Sequence, residues 1–328
     1  MGPWSSRLRR RPHIERSMRT AEIPGSNPGG PTTQAVTNLG TVIEMPNLLT
    51  NLVFRIAKRW VAGETYQDAI ARAAQSNHHM MHGILNLLGE DVIIEEEIAA
   101  TTTEYDEILR MIELRKLQCC ISIKPSQLGL ALSKPLFVDN LKKILVSARS
   151  HSNFVWLDME GSRYTNDTVE TYLDFRQSFE NIGIAIQANL RRSEQDVNRI
   201  LGLNGTIRLV KGAYNESSTI AYKKRWQIRE NFAKLMNPMF QKGGRFAIAT
   251  HDEKLIEEAI RLSEIHHTDF EFQMLLGIRD KKKLELVQRG FRLGEYIPFG
   301  KDWYAYSLRR IREHKSNLIL LARSLVST

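Results

Sequence analysis

From Leu48 onward the chain alternates short apolar runs of strand length with longer segments of helical periodicity. Eight such runs follow in order, at residues 83–88, 119–124, 154–159, 184–188, 207–211, 246–250, 270–274 and 291–297. Amphipathic stretches such as 135–148 and 253–265 lie between them. Strands joined through helices pair in parallel, and eight βα units suffice to close a barrel. An open doubly wound sheet is the competing arrangement, but no GxGxxG follows the first run. The predicted fold is therefore α/β, a (β/α)8 barrel over residues 45–328, with extra N-terminal helices and a C-terminal helix over the barrel mouth. In the extra element, residues 48–74, Thr65 is the predicted N-cap and Asp68 takes the box position three residues on. This element is expected to cover one end of the barrel.

With 42% hydrophobic and 25% charged residues, 328 residues can bury one large core. The longest apolar stretches, such as 317–326, are shorter than the roughly 20 residues of a membrane span. Cys119 and Cys120 are adjacent, so on a strand they face opposite ways and cannot pair; the chain reads as reduced and cytoplasmic. The net charge of +9 owes a third of its excess to residues 1–44, and no basic repeat or RNA-binding signature accompanies it, which argues against nucleic acid. Residues 1–44, Arg-rich and then Pro/Gly-rich without periodicity, are expected to be a disordered leader. A second reading makes them non-native, since Gly25 to Pro28 match what the T-arm of a tRNA gene would encode, and puts the start at Met45.

Polar residues close the strands, where barrel chemistry is built. Glu90 follows the first run, Lys124 ends the second, Asp158 the third and Gln187 the fourth; Arg208 and Lys211 lie on the fifth, Thr250 and His251 end the sixth, Gln273 falls in the seventh and Tyr296 in the eighth. Charges seldom enter a core unpaired, so Lys124 and Asp158 are expected to pair. Farther on, Tyr306, Arg309, Arg310 and Glu313 share one helical face at i, i+3, i+4 and i+7. Two adjacent guanidinium groups suit a carboxylate; a plain solvated face is the alternative. In RLVKGAYNES, starting at Arg208, Gly212 and Ala213 leave room for a flat ring against the backbone, while Lys211 by itself also fits a Schiff-base lysine. His78, His79 and His82 have a metal-ligand spacing but are expected to be surface histidines, so no metal is assigned.

ISIKPSQLG at Ile121, WLDMEGSRYT at Trp156, AIQANLRR at Ala185, RLVKGAY at Arg208, ATHD at Ala249, EFQMLLGIR at Glu271 and YIPFGKDWYAYSLRRIRE at Tyr296 together resemble the monofunctional proline dehydrogenases. The resemblance implies a (β/α)8 barrel binding FAD at its mouth and oxidising L-proline to Δ1-pyrroline-5-carboxylate, the first step of proline catabolism to glutamate. It implies that Lys124, Arg309 and Arg310 bind the proline carboxylate, that Tyr214, Tyr296 and Tyr306 shape the pocket, and that Leu276 or Leu275 adds an apolar contact. Asp158 should hold Lys124, and Arg208 should face flavin N5. Met159, Gln187, Val210, Lys211, Gly212, Ala213, Thr250, His251 and Glu313 should hold FAD. Glu90 resembles a gate glutamate paired with Arg309.

Asn86 stands where the family often has Asp, and Ile228 and Arg229 stand in place of its usual Val-Asp pair. The resemblance further implies a quinone acceptor. Lys142, Lys143, Lys281, Lys282 and Lys283 form a candidate patch for peripheral contact with the inner face of the cell membrane, or serve solubility alone.

Overall fold

The computed structural model describes residues 57–304, together with Tyr306 and Ser307. Eight strands appear in order: β1 His82–Leu87, β2 Cys119–Ile123, β3 Val155–Leu157, β4 Ile182–Gln187, β5 Thr206–Val210, β6 Phe246–Ala249, β7 Glu271–Leu275 and β8 Arg292–Phe299. Each pairs in parallel with its sequence neighbours, and β8 returns to β1 to close the barrel. The predicted strands are all present, their ends shifted by up to two residues. The helices are α1 Tyr66–His78, α2 Glu95–Leu114, α3 Lys134–Ser150, α4 Ser162–Arg176, α5 Ser193–Gly202, α6 Arg225–Lys242, α7 Glu253–His266 and α8 Asp280–Gln288, with a single 3₁₀ turn at Pro125–Leu128.

Alternation along the strands divides the buried side chains into two sets. Leu85, Ile121, Leu157, Ile184, Ile207 and their like face outward and pack under the helices as the main core. Ile84, Cys120, Phe154, Trp156 and Ala247, with Tyr296 against them, form a separate cluster inside the barrel. The two cysteines accordingly fall on opposite faces, Cys119 beside the outer core and Cys120 within the inner cluster.

The Thr65 capping box forms as predicted, with Asp68 as its acidic member, and starts α1. The helix does not cover an end of the barrel. It runs back along the outer face of the β1–β8 seam: the chain before it bonds to the end of β8 (Ala62 N to Pro298 O, 2.8 Å), and the helix leads into the start of β1. The reason lies in Glu295, a fully buried carboxylate on the outer face of β8. Arg72 and Ser76 of α1 reach it at 2.8 and 2.7 Å, and Lys283 of α8 at 2.5 Å. A buried carboxylate demands such partners, and they draw both helices onto the seam. Lys283, 1% exposed, is therefore withdrawn from the expected surface patch, and Lys282 pairs with Glu253 and Glu285. Lys142, Lys143 and Lys281 remain exposed. Among the described residues no helix is long and apolar enough to cross a membrane.

Candidate active site

Beside its apolar cluster the barrel interior holds a network of charged and polar side chains, where most barrels of this kind are filled by branched apolar ones. Arg208 of β5, 3% exposed, reaches across it to residues of strands that are not its neighbours. Its Nη1 donates to Asp158 Oδ1 (2.6 Å), just past β3, and to Ser122 Oγ (2.9 Å) of β2. Its Nε donates to Gln273 Oε1 of β7 at 2.5 Å. The guanidinium carbon lies 4.5 Å from the Trp156 ring centre and 5.5 Å from that of Tyr296, within cation–π range. Nη2 is buried and has no hydrogen-bond partner. A buried donor of a charged group left unpaired is costly, and it marks where an acceptor on a ligand would be received.

Asp158 is satisfied on both oxygens, because Tyr296 donates to Oδ2 at 2.6 Å. Burial pushes the Tyr296 hydroxyl well above its ordinary range, so it remains a donor. The expected pair between Asp158 and Lys124 does not form. Arg208, Ser122 and Tyr296 occupy the carboxylate, and Lys124 Nζ donates to Asn86 Oδ1 at 3.2 Å instead. Asn86, 1% exposed, is fixed by its own bond to Ser122 O (2.9 Å). The position singled out in the sequence as a departure is thus the one that holds Lys124, through a neutral amide.

At the strand ends beside this cluster, Gln187 links two loops. Its Nε2 donates to Glu160 O (3.0 Å) and its Oε1 accepts from Ala213 N (3.3 Å). Met159, between Asp158 and Glu160 in sequence, is buried. Val210 O and Lys211 O accept from Ala188 N and Asn189 N, tying the end of β5 to the loop after β4. Gly212 has φ +101°, and a Cβ there would lie 2.1 Å from Asn189 Oδ1. The turn therefore admits only glycine and leaves bare backbone at the mouth. Thr250 Oγ1 accepts from Asp252 N, and His251 Nε2 accepts from Leu275 N. Leu276 is buried and Tyr214 half-buried near Gly161. Tyr306 packs with Trp60, Val61, Leu88 and Trp303, and Glu90 is half-buried. Arg309, Arg310 and Glu313 lie outside the described residues.

Lys211 pairs with Asp252 at 2.6 Å, and Arg229, one of the two departures on α6, bonds the same carboxylate at 3.0 Å. An ion-paired, 40% exposed ammonium lacks the desolvated setting that activates a Schiff-base lysine. His78 and His79 are exposed, as expected, but His82 is not a surface residue: as the first residue of β1 it turns inward, where Gly294 leaves room for the ring, and pairs with Glu271 at 3.3 Å.

Glu160 belongs to the WLDMEGSRYT motif, where the sequence alone assigns it no role. It is 2% exposed and accepts from Ser126 N (2.7 Å) and Oγ (2.6 Å). Burial pushes its carboxyl up to about 7, against the lowering effect of those bonds and of Lys124. Acid residues inside a buried motif signal a partner, but only the fold tells which.

Residues 69–323 match the family described as proline dehydrogenase. The chain belongs to the proline dehydrogenase family. It is 34% identical over 265 residues to proline dehydrogenase 2 of Bacillus subtilis, covering 80% of this chain and 88% of that one. To the proline dehydrogenase of Deinococcus radiodurans it is 32% identical over 301 residues, 87% and 96% of the two chains. Among solved structures, proline utilization A (PutA) from Bdellovibrio bacteriovorus, inactivated by N-propargylglycine, superposes with a TM-score of 0.74 at 23% identity over 79% of this chain. The chain spans about a third of that protein (32%), so this likeness speaks for the barrel fold.

Proposed function

We propose that this family member oxidises L-proline to Δ1-pyrroline-5-carboxylate with FAD as its cofactor and a quinone as the final acceptor. The observation that carries the reading is the interior of the barrel: one guanidinium fixed by three acceptors and two rings, with one buried NH₂ group left over, beside a glycine turn of bare backbone. These features fit a flat, hydrogen-bonding, partly anionic ring system. Arg208, Gln187, Met159 and the backbone from Val210 to Ala213 would hold it, with Lys211, Thr250 and His251 toward its tail. FAD, when bound, supplies the acceptor for the hydride that leaves proline C5.

The chain's own residues supply orientation and charge. Lys124, held by Asn86 at the mouth, offers an ammonium to the proline carboxylate, and Arg309 and Arg310 offer a planar fork to the same group. Tyr296, anchored on Asp158, forms one wall of the pocket, with Tyr214, Tyr306 and Leu276 around it. Arg208 places fixed positive charge where negative charge accumulates during transfer, and as a preorganised group it needs no rearrangement at that moment. Asp158 acts by holding Arg208 and Tyr296. Glu90 closes over the substrate by pairing with Arg309. Exposed Lys142, Lys143 and Lys281 support a loose contact with anionic lipid, from which a cytoplasmic enzyme reaches a quinone.

The test is product formation. FAD-loaded protein with a dye acceptor and L-proline should yield the cyclic imine, trapped as its coloured o-aminobenzaldehyde adduct. An FAD-loaded protein that gives no adduct refutes the proposed activity.

A further inference from the structure

The hydrogen bonds that fix Arg208 continue downward to the opposite end of the barrel. Gln273 Oε1 accepts from Arg208 Nε, while its Nε2 donates to Glu271 Oε1 at 2.5 Å. Glu271 begins β7 and faces His82, which begins β1. Every link lies among residues at the strand starts or middles, away from the mouth. Gln273 is 3% exposed.

The chemistry of this column is directional. An amide has one acceptor end and one donor end, and nothing intrinsic to glutamine decides which end faces Arg208. Arg208, a donor only, selects the oxygen, and Glu271 reinforces that choice. A carboxylate accepts only, so it draws the NH₂ of Gln273 toward itself and turns the oxygen toward Arg208 Nε. His82 in turn makes the part-buried Glu271 charge tenable. Burial disfavours its cationic form, yet the hydrogen bonds to Cys120 and Glu271 and the charge of Glu271 prevail and raise it to about 10. Hydrogen bonds from Gln273 and His82, with the imidazolium charge, correspondingly keep the Glu271 carboxyl below its ordinary range although burial opposes this.

Resting on the flavin reading above, we propose that Gln273 is a positioning residue for Arg208, its orientation reinforced from the barrel floor by the Glu271–His82 pair. With Nε committed to Gln273 and Nη1 to Asp158 and Ser122, the guanidinium has no rotational freedom, and Nη2 is the donor left for the bound flavin. Loss of the Gln273 bond frees Arg208 to pivot about Nη1, and its charge is no longer fixed against the ring.

The test uses the full FAD-loaded chain and sulfite, which adds to flavin N5 and gives an anionic adduct that nearby positive charge stabilises. Gln273→Met keeps the volume and removes both ends of the amide. A hydrogen bond to a charged group is worth enough to change affinity about tenfold or more. Gln273→Met is thus expected to raise the sulfite Kd by about tenfold and lower kcat similarly, with the L-proline KM within about twofold. Glu271→Gln, nearly isosteric, should weaken sulfite binding by several fold, since an amide can present either end to Gln273 and leaves Arg208 alone to hold its orientation. It decides the matter if Gln273→Met does not fold. Wild-type sulfite affinity in the folded variants, even with a lowered Tm, overturns the proposal alone. A wild-type protein that takes up no FAD overturns the reading on which it rests, and the proposal with it.

Discussion

The residue that most alters the sequence-based picture is Asp158. Its oxygens serve Arg208, Ser122 and Tyr296, whereas Lys124 answers to Asn86. Energetic coupling should follow these contacts. In double-mutant cycles on kcat/KM, Asp158→Asn with Tyr296→Phe should depart from additivity by about 1 kcal/mol or more, because each removes one end of the same bond. Asp158→Asn with Lys124→Met should come closer to additive. The reverse order would mean that the carboxylate serves the lysine after all. Glu160 carries a second expectation, on stability. Its folded carboxyl titrates near 7, above the ordinary 4.5, so between these values the folded chain binds the proton more tightly. Stability from this group is fully present below about 4.5, falls as pH rises, and is lost above about 7, by about 3 kcal/mol at most. Glu160→Gln should flatten that slope in urea titrations at pH 5 and 8. Parallel profiles for the two proteins would show that Glu160 ionises normally.

At the scale of elements, the strands were legible because each is a concentrated apolar run between turn residues, and all eight occupy the places read from them. The Thr65 box was legible because its chemistry is local. The inside and the outside of the barrel were not. A strand of a closed barrel is buried on both faces, so no alternation of apolar and polar residues reports which side chains point inward. For this reason Trp156, Ser122 and Gln273 could not be recognised as neighbours of Arg208, and His82 read as a surface histidine. The same blindness hid the Glu295 cluster that lays α1 along the β1–β8 seam. The β5 turn, by contrast, carries its own signal in Gly212. Gly212→Ala should cost about 1–3 kcal/mol of stability from the positive φ alone, with more from the clash on Asn189, and should reduce FAD uptake. Thermal unfolding and flavin titration check both. Unchanged uptake would show that this turn does not approach the cofactor.

Across the described residues, a scaffold of apolar strand faces under helices encloses a barrel whose inner faces combine an apolar cluster with buried charge. Such burial is costly and is met by pairing: Arg208 with Asp158, Glu271 with His82, and on the outer face Glu295 with Lys283 and Arg72. Family membership was legible from motifs spread along the chain, and its match over residues 69–323 agrees with their order. On the proposed function, a fixed cation inside a proline dehydrogenase barrel serves transfer of hydride from L-proline to FAD. One anaerobic titration tests it most directly. L-Proline added without oxygen or any other acceptor to the FAD-loaded protein should bleach the flavin's visible absorbance completely, one molecule of proline per flavin, while D-proline leaves it oxidised. A flavin that stays oxidised with excess L-proline would contradict the account.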